Sequence, residues 1–212
     1  MRKANAEQVA ERFPTDTEGF VLTVLHEQGD YRHLRFQQPD ERWGSTDIHT
    51  WPGGLTTAGD MADGWMFERG LGFFAGPVNL HDWHEKLTPS GRLAAEEFSE
   101  VTLRAELATA GEDLEIPEQF RDAFDEELNE LIDSIISDHA DTNAALAEIS
   151  DFTFERESDD GLSDIDAKFS DPYELNIDDY TYHFVWALHV LSTAARWLAD
   201  KDPRVIRPEA TP

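Results

Sequence analysis

One segment constrains the fold more than any other, because residues 180–199 are apolar on nearly every side when drawn as a helix. A helix of this kind is normally buried, since apolar side chains exposed all round would forgo the free energy of burial. Asp178 or Asp179 is a candidate N-cap, and the pair Asp202 and Pro203 prevents the helix from continuing. We therefore predict a central core helix over residues 180–199.

Residues 31–69 show a different pattern, in which short apolar runs are separated by turn residues. Residues 31–36 alternate with a period of two, which is typical of a half-buried strand. Similar runs follow at residues 45–51, 55–59 and 65–69, separated by a Pro-Gly-Gly and an Ala-Asp-Gly turn. The pattern predicts an antiparallel β-meander.

Helical patterns flank this meander. Residues 5–13 have helical spacing and are followed by Pro14, which predicts the end of a first helix. The run at residues 19–26 fits a strand or a helix, because its length does not reveal a period. A polar helix is predicted near residues 93–107, and the clearest helix of all over residues 118–138. The apolar side chains of this last helix fall at steps of three and four, namely Phe120, Phe124, Leu128, Leu131 and Ile135.

These segments predict an α+β fold, since strands and helices are segregated along the chain. We expect one domain over residues 1–203, in which the meander of residues 31–69 packs on the core helix. The acidic helical part, residues 91–150, is expected beside it. Residues 204–212 are predicted to be a loose tail.

The charge of the chain is strongly negative and unevenly distributed. The 212 residues include 45 Asp and Glu against 17 Lys and Arg, a formal net charge of −28, and residues 96–179 hold 28 acidic and 4 basic ones. Direct nucleic-acid binding is disfavoured, because basic side chains supply that affinity. Three interpretations stay open: a bias of a salt-rich or high-GC host, a face that mimics nucleic acid or docks onto a basic protein, and cation binding. The uneven distribution favours a dedicated acidic face.

The helix over residues 118–138 provides the candidate binding residues for such a face. They lie opposite its apolar stripe and are Asp122, Glu126, Glu130 and Asp133.

Composition also excludes several classes of protein. The chain has no Cys, so a disulfide framework, a thiolate metal site and a cysteine nucleophile are excluded. It has no run of about 18 apolar residues and no signal-peptide pattern near its first residues, so we expect a cytoplasmic protein with no membrane partner. No phosphate-binding glycine loop and no Gly-Xaa-Ser-Xaa-Gly motif occur, and no cofactor is predicted. The sequence does not define an oligomeric state.

The histidines provide weak candidates for chemistry. His81, His84 and Glu85 would share one face of a helix and offer two imidazoles and a carboxylate to a metal, although their order differs from that of zinc proteases. The more common interpretation is an amphipathic turn with half-exposed histidines, so no metal is predicted there. His183 and His189 lie on the core helix and are expected to be hydrogen-bonded core residues.

A second candidate is an acid and base pair, His49 with Asp60, if adjacent strands bring them together. The surrounding residues are expected to serve the fold first, because the turns need a fixed φ, a positive φ and a carboxylate that accepts backbone N–H groups. This structural motif consists of Trp51, Pro52, Gly53, Gly59 and Asp60.

Several of these segments resemble a widespread group of phage and prophage proteins of unknown function. The resemblance lies in residues 31–36, in the Trp51-Pro52-Gly53 turn followed by Gly59-Asp60-Met61, and in the aromatic residues at the start of the core helix, residues 180–186. The sequence departs from the group's pattern at residues 62–65. The resemblance implies a viral accessory role and supplies no catalytic residues.

These observations predict a non-catalytic, phage-type accessory protein. Its acidic helical face would bind a basic, nucleic-acid-handling host protein, as an inhibitor or a modulator of host defence. One alternative is a metal-assisted hydrolase built around His49, Asp60, His81 and His84. The other is a virion or housekeeping component from a salt-rich or high-GC host.

Added salt should stabilise the protein. A net charge of −28 opposes the compact state by self-repulsion, which salt screens over a Debye length of about 8–10 Å at physiological strength and about 3 Å at 1 M. We expect the melting temperature to rise across a NaCl series, by about 2–4 °C for each kcal/mol regained in a chain of this size. A flat response would show that the acidic groups are already compensated.

Overall fold

A computed structural model of the chain describes residues 4–41, 43–62, 64–138, 141–156 and 165–207. The chain divides into two compact units. We call residues 5–96 with residues 180 onward the sheet unit, and residues 97–179 the helical unit. The fold class is α+β, as the sequence predicts.

The described residues form seven α-helices, ten short or long strands and two 3-10 turns. In chain order the elements are α1 (Asn5–Asp16), β1 (Val21–Gln28), β2 (Tyr31–Gln37), β3 (Thr46–Trp51), β4 (Gly54–Gly59), β5 (Met66–Phe67), a 3-10 turn (Leu71–Ala75), α2 (Leu80–His84), α3 (Pro89–Ala94), β6 (Glu96–Phe98), α4 (Glu100–Glu112), α5 (Glu118–Asp138), α6 (Thr142–Asp151), β7 (Phe154–Arg156), β8 (Ile165–Ala167), a 3-10 turn (Pro172–Glu174), β9 (Asp178–Tyr180), α7 (Tyr182–Asp200) and β10 (Val205–Ile206).

A six-stranded sheet forms the frame of the sheet unit, with strand order β10-β1-β2-β3-β4-β5. Every neighbouring pair is antiparallel except β1 with β10, which is parallel. The antiparallel meander is therefore confirmed. The run at residues 19–26, which fitted either a strand or a helix, belongs to β1. The tail predicted as loose from residue 204 contains β10, while residues 208–212 lie outside the described part.

Helix α7 packs against this sheet and is buried along most of its length. The strands turn their apolar residues towards the core in alternation, so that Leu34 and Phe36 of β2 and Ile48 of β3 are fully buried. The core helix is thus confirmed. Its N-cap is different from the predicted aspartates: the Thr181 hydroxyl accepts the N–H of Phe184 at 3.2 Å.

Two predicted helix boundaries are wrong. Helix α1 continues through Pro14 to Asp16, because a proline near the last turn removes only one hydrogen bond while Phe13 is held in the core. The polar helix predicted over residues 93–107 is interrupted by strand β6. Helix α4 then begins anew after Ser99, whose hydroxyl accepts the N–H of Thr102.

The helical unit contains α4, α5 and α6 around its own core. Helix α5 has the predicted bounds. Its buried stripe differs from the prediction at two positions: Ile132 is buried where Leu131 was expected, and Phe120 is only partly buried. No helix in the described residues is long and apolar enough to cross a membrane.

The turn residues around β3 and β4 make tight structural contacts. Pro52 and Gly53 connect Trp51 to its strand partner Gly54, and Gly53 has a φ of 83° as a type II turn requires. Gly59 has a φ of 116°, and a Cβ there would lie 2.5 Å from the backbone oxygen of Ser45.

Replacing Gly59 with Ala should destabilise the sheet unit by about 3 kcal/mol, because the side chain meets both an unfavourable φ and a backbone atom. The matched control is Gly29→Ala, where φ is also positive, at 61°, but no described atom beyond the adjacent residues lies within 4 Å of the new Cβ. This control should lose about 1 kcal/mol. Urea unfolding of both variants measures the difference, and equal losses would contradict the close contact at Gly59.

His189 on α7 should make stability depend on pH. It was expected to be hydrogen-bonded, but in the described structure its ring packs on Phe13 instead, with ring centroids 5.1 Å apart. Burial, and then the charge of Arg196, lower the pKa of His189. The unfolded state therefore binds the proton more readily, and the free energy of unfolding should fall as the pH drops below about 6.5.

The test compares the wild type with His189→Gln, which keeps a polar side chain of similar size but does not titrate. Between pH 7 and pH 5 the variant should lose less stability than the wild type in parallel denaturant titrations. Identical pH slopes in the two proteins would show that His189 is not responsible.

Candidate functional site

The side of the sheet opposite α7 carries a cluster of polar side chains from two neighbouring strands. His33 and Arg35 alternate with the core residues of β2, and Asp47 and His49 alternate with those of β3. The register places His33 opposite His49 and Arg35 opposite Asp47. We call these four residues the His–Asp cluster. All four side chains are partly buried.

The members of the cluster touch each other. The imidazole rings of His33 and His49 are stacked, with centroids 4.2 Å apart and an angle of 27° between their planes. Arg35 donates from Nε to Asp47 Oδ1 at 2.7 Å and from Nη2 to Asp47 Oδ2 at 2.8 Å. His33 Nε2 lies 3.5 Å from Asp47 Oδ2. Ligand atoms of His33, Asp47 and His49 all lie within 4.8 Å of one another, the only group of three such residues in the described chain.

Charge and burial together shift the pKa values of Asp47 and His49. Burial acts to raise the pKa of Asp47, but hydrogen bonds and charge from Arg35, with a smaller contribution from His33, outweigh it and lower that pKa overall. Burial and the neighbouring His33 lower the pKa of His49, against the opposing charge of Asp47. Both shifts in pKa therefore favour an ionised Asp47 carboxylate beside a neutral His49 imidazole.

One atom of the cluster lacks a partner. His33 Nε2 is buried and makes no hydrogen bond within the described structure, because its 3.5 Å approach to Asp47 Oδ2 exceeds the usual hydrogen-bond length of about 2.7–3.2 Å. Buried polar atoms are normally satisfied, and an exception calls for a physical explanation.

Of the residues predicted from the sequence, His49 belongs to this cluster and Asp60 does not. The N–H of Asp60 bonds to the backbone oxygen of Ser45, which is four positions before His49 and so about 13 Å away along the strand. The Asp60 carboxylate accepts the N–H of Gly44 at 2.9 Å, which lies in the connection before β3. The acid and base pair of His49 with Asp60 is therefore not formed.

The metal candidate of the sequence, His81 with His84 and Glu85, is not assembled as a group of metal ligands in the described chain. His81 is 85% exposed and faces Glu85 at 3.6 Å, whereas the His84 side chain is only 15% exposed. His84 Nε2 lies 3.2 Å from the backbone oxygen of Arg92 and 3.8 Å from Glu96 Oε1. The four residues of the hydrolase alternative, His49, Asp60, His81 and His84, do not appear together as a group of metal ligands in the described chain.

The acidic candidates lie on the exposed side of α5, as their spacing predicts. Asp122, Glu126 and Glu130 are exposed and make no ion pair or hydrogen bond through their carboxylates within the part of the chain that the structure describes. Asp133 differs, because it accepts a hydrogen bond from Arg104 Nη2 at 2.8 Å.

Sequence reasoning missed His33, Arg35 and Asp47. The alternation of residues 31–36 already places His33 and Arg35 on one side of a strand. Counting the hairpin register from the Pro-Gly turn through β3 and β4 does not reach β2, because the connection between β2 and β3 has no fixed turn signature. The sequence alone therefore could not predict that His33 and His49 are direct partners on neighbouring strands.

Comparison with known proteins gives no assignment: no family model, no curated protein and no solved structure matches the chain.

Proposed function

We propose that the chain is a non-catalytic binding protein whose acidic helical unit docks onto a basic protein surface. The partner is of the class that handles nucleic acid, because such proteins present clustered Lys and Arg that match a row of negative charges. Binding would compete with nucleic acid for that surface. The resemblance of the sequence to phage proteins supports a viral accessory role within this proposal.

The observation that carries the proposal is the unpaired row on α5. Asp122, Glu126 and Glu130 follow each other at four-residue steps, which places them on one line about 6 Å apart. Like charges at this spacing destabilise a helix by a few tenths of a kcal/mol for each pair. A basic partner would turn that repulsion into attraction.

The arginines of the helical unit do not neutralise this row. Arg104 bonds to Asp133 and lies near Glu100, and Arg156 bonds to Glu127. Arg121 donates to the backbone oxygens of Gly111 and Leu114, where it satisfies carbonyl groups at the end of α4. Each of these guanidinium groups is already engaged within its own unit, so the negative charge of the row is left for an external partner.

The proposal also agrees with how electrostatic surfaces act. Complementary charge raises association rates and selects among partners more than it adds raw affinity. A bias of the whole proteome would not require the acidic residues to be concentrated in one compact unit, yet residues 97–179 hold 27 of the 45.

Neutralising the row should abolish partner binding. The test variant is Asp122→Asn with Glu126→Gln and Glu130→Gln, which removes three charges without shortening a side chain. We expect a partner retained from host lysate at low salt by the wild type to be lost from this variant, and to be displaced from the wild type by duplex DNA. Both effects follow from a competition for one basic surface.

The matched control removes the same charge from the sheet unit. Glu18, Glu41 and Glu68 are exposed and make no ion pair within the described residues, so the triple Gln variant changes net charge equally. It should retain the partner. If both triple variants lose binding alike, retention depends on total charge and the proposed face is wrong. Failure to retain any basic protein at low salt would also refute the proposal.

A further inference from the structure

We propose that His33, Asp47 and His49 form a binding site for one divalent transition-metal ion, with Zn²⁺ as its representative. The site lies on the side of the sheet opposite α7 and uses none of the residues on which the proposed function rests. It can therefore be tested, and can fail, independently of the acidic row.

The spacing of the ligand atoms is close to what a metal ion needs. Zinc binds nitrogen and oxygen at about 2.0–2.2 Å, so that neighbouring ligand atoms of a tetrahedral site lie about 3.4 Å apart. His33 Nε2 and Asp47 Oδ2 are 3.5 Å apart. One ligand atom from each of His33, Asp47 and His49 lies within 4.8 Å of the other two, so ring and carboxylate movements of at most about 1.5 Å would complete the set.

An ion would also satisfy the orphaned atom of the cluster. His33 Nε2 is buried and has no hydrogen-bond partner in the described structure. A buried nitrogen without a hydrogen bond lowers stability, because it has lost its contacts with water, and a bond to a metal ion would restore a partner. Its one ion-pair contact in the described chain, with Asp47 Oδ2 at 3.5 Å, would become a shared contact with the ion.

The strands hold the ligands in place. His33 and His49 are direct register partners on β2 and β3, and these strands are paired on their other sides with β1 and β4. Ligands on interior strands are more firmly positioned than ligands on loops. The three residues need little ordering when an ion binds.

Arg35 acts as a positioning residue for Asp47. It donates one hydrogen bond to each carboxylate oxygen. An ionised carboxylate has about four acceptor positions, so Oδ2 can accept from Arg35 and still bind an ion. Partners of this kind commonly orient the ligands of metal sites. The positive charge of Arg35 opposes the binding of a cation. The chain as a whole favours it, because 45 acidic residues outnumber 17 basic ones.

The ligand types select the class of ion. Two imidazoles and one carboxylate suit Zn²⁺, Ni²⁺, Co²⁺ and Cu²⁺, whereas Ca²⁺ and Mg²⁺ prefer oxygen ligands and would bind elsewhere among the acidic residues. Excess Mg²⁺ therefore occupies nonspecific carboxylate sites without competing strongly for the proposed one. At least one coordination position stays open for water.

Calorimetric titration of the full chain with ZnCl₂ in excess MgCl₂ tests the proposal. We expect one Zn²⁺ per chain, and at least tenfold weaker binding in His33→Ala and in His49→Ala. The matched control is His81→Ala, which removes an exposed histidine that already faces a carboxylate at 3.6 Å. The control should bind Zn²⁺ as the wild type does.

A second measurement requires no variant. Long-range ¹H–¹⁵N NMR of the eight histidines should show that one equivalent of Zn²⁺ shifts the ring nitrogens of two rings, those of His33 and His49. The proposal is overturned if Zn²⁺ does not bind in excess Mg²⁺, if His81→Ala weakens binding as much as His49→Ala does, or if other histidines shift instead. Loss of folding in an alanine variant leaves the wild-type spectrum to decide.

Discussion

The burial of α7 against the six-stranded sheet is the interaction on which the rest of the sheet unit depends. Aromatic rings hold it in place, since Phe184 contacts Trp65 edge-on at 5.3 Å and Trp186 contacts Phe13 edge-on at 4.9 Å. Because one side of each strand is committed to this core, a shift of one residue in register would bury polar side chains. The same commitment fixes which residues meet on the other side, and so it places His33 beside His49.

The two surfaces considered for function differ in how their charges are arranged. The His–Asp cluster balances its groups internally, because Asp47 lies between a guanidinium and an imidazole. The row on α5 leaves its carboxylates unmatched within the described residues. The His–Asp cluster suits a small ion, which could replace the long contact between His33 and Asp47. The row on α5 suits a large partner whose surface carries positive charge.

The sequence predicted the elements whose patterns are long or regular. The meander follows from period-two runs and strong turns, α5 from its apolar stripe, and α7 from its apolar surface. The predictions were wrong where local signals conflict with tertiary structure. Helix α1 tolerates Pro14 because Phe13 is anchored in the core. Thr181 caps α7, in place of the predicted aspartates, because the residues before it belong to β9. The His–Asp cluster depends on the pairing of two strands joined by an irregular connection, so neither composition nor spacing could reveal it.

The positions where the chain leaves and re-enters the sheet unit are one hydrogen bond apart. The N–H of Thr181 donates to the backbone oxygen of Ala95 at 2.8 Å, although about 85 residues separate them along the chain. The helical unit is therefore an insertion, and closing a loop of that length costs about 2.5 kcal/mol more than closing one of about five residues. Evolution can enlarge, recharge or replace such an insertion while the strands and α7 keep their own contacts. The acidic surface and the sheet can thus change at different rates within one gene.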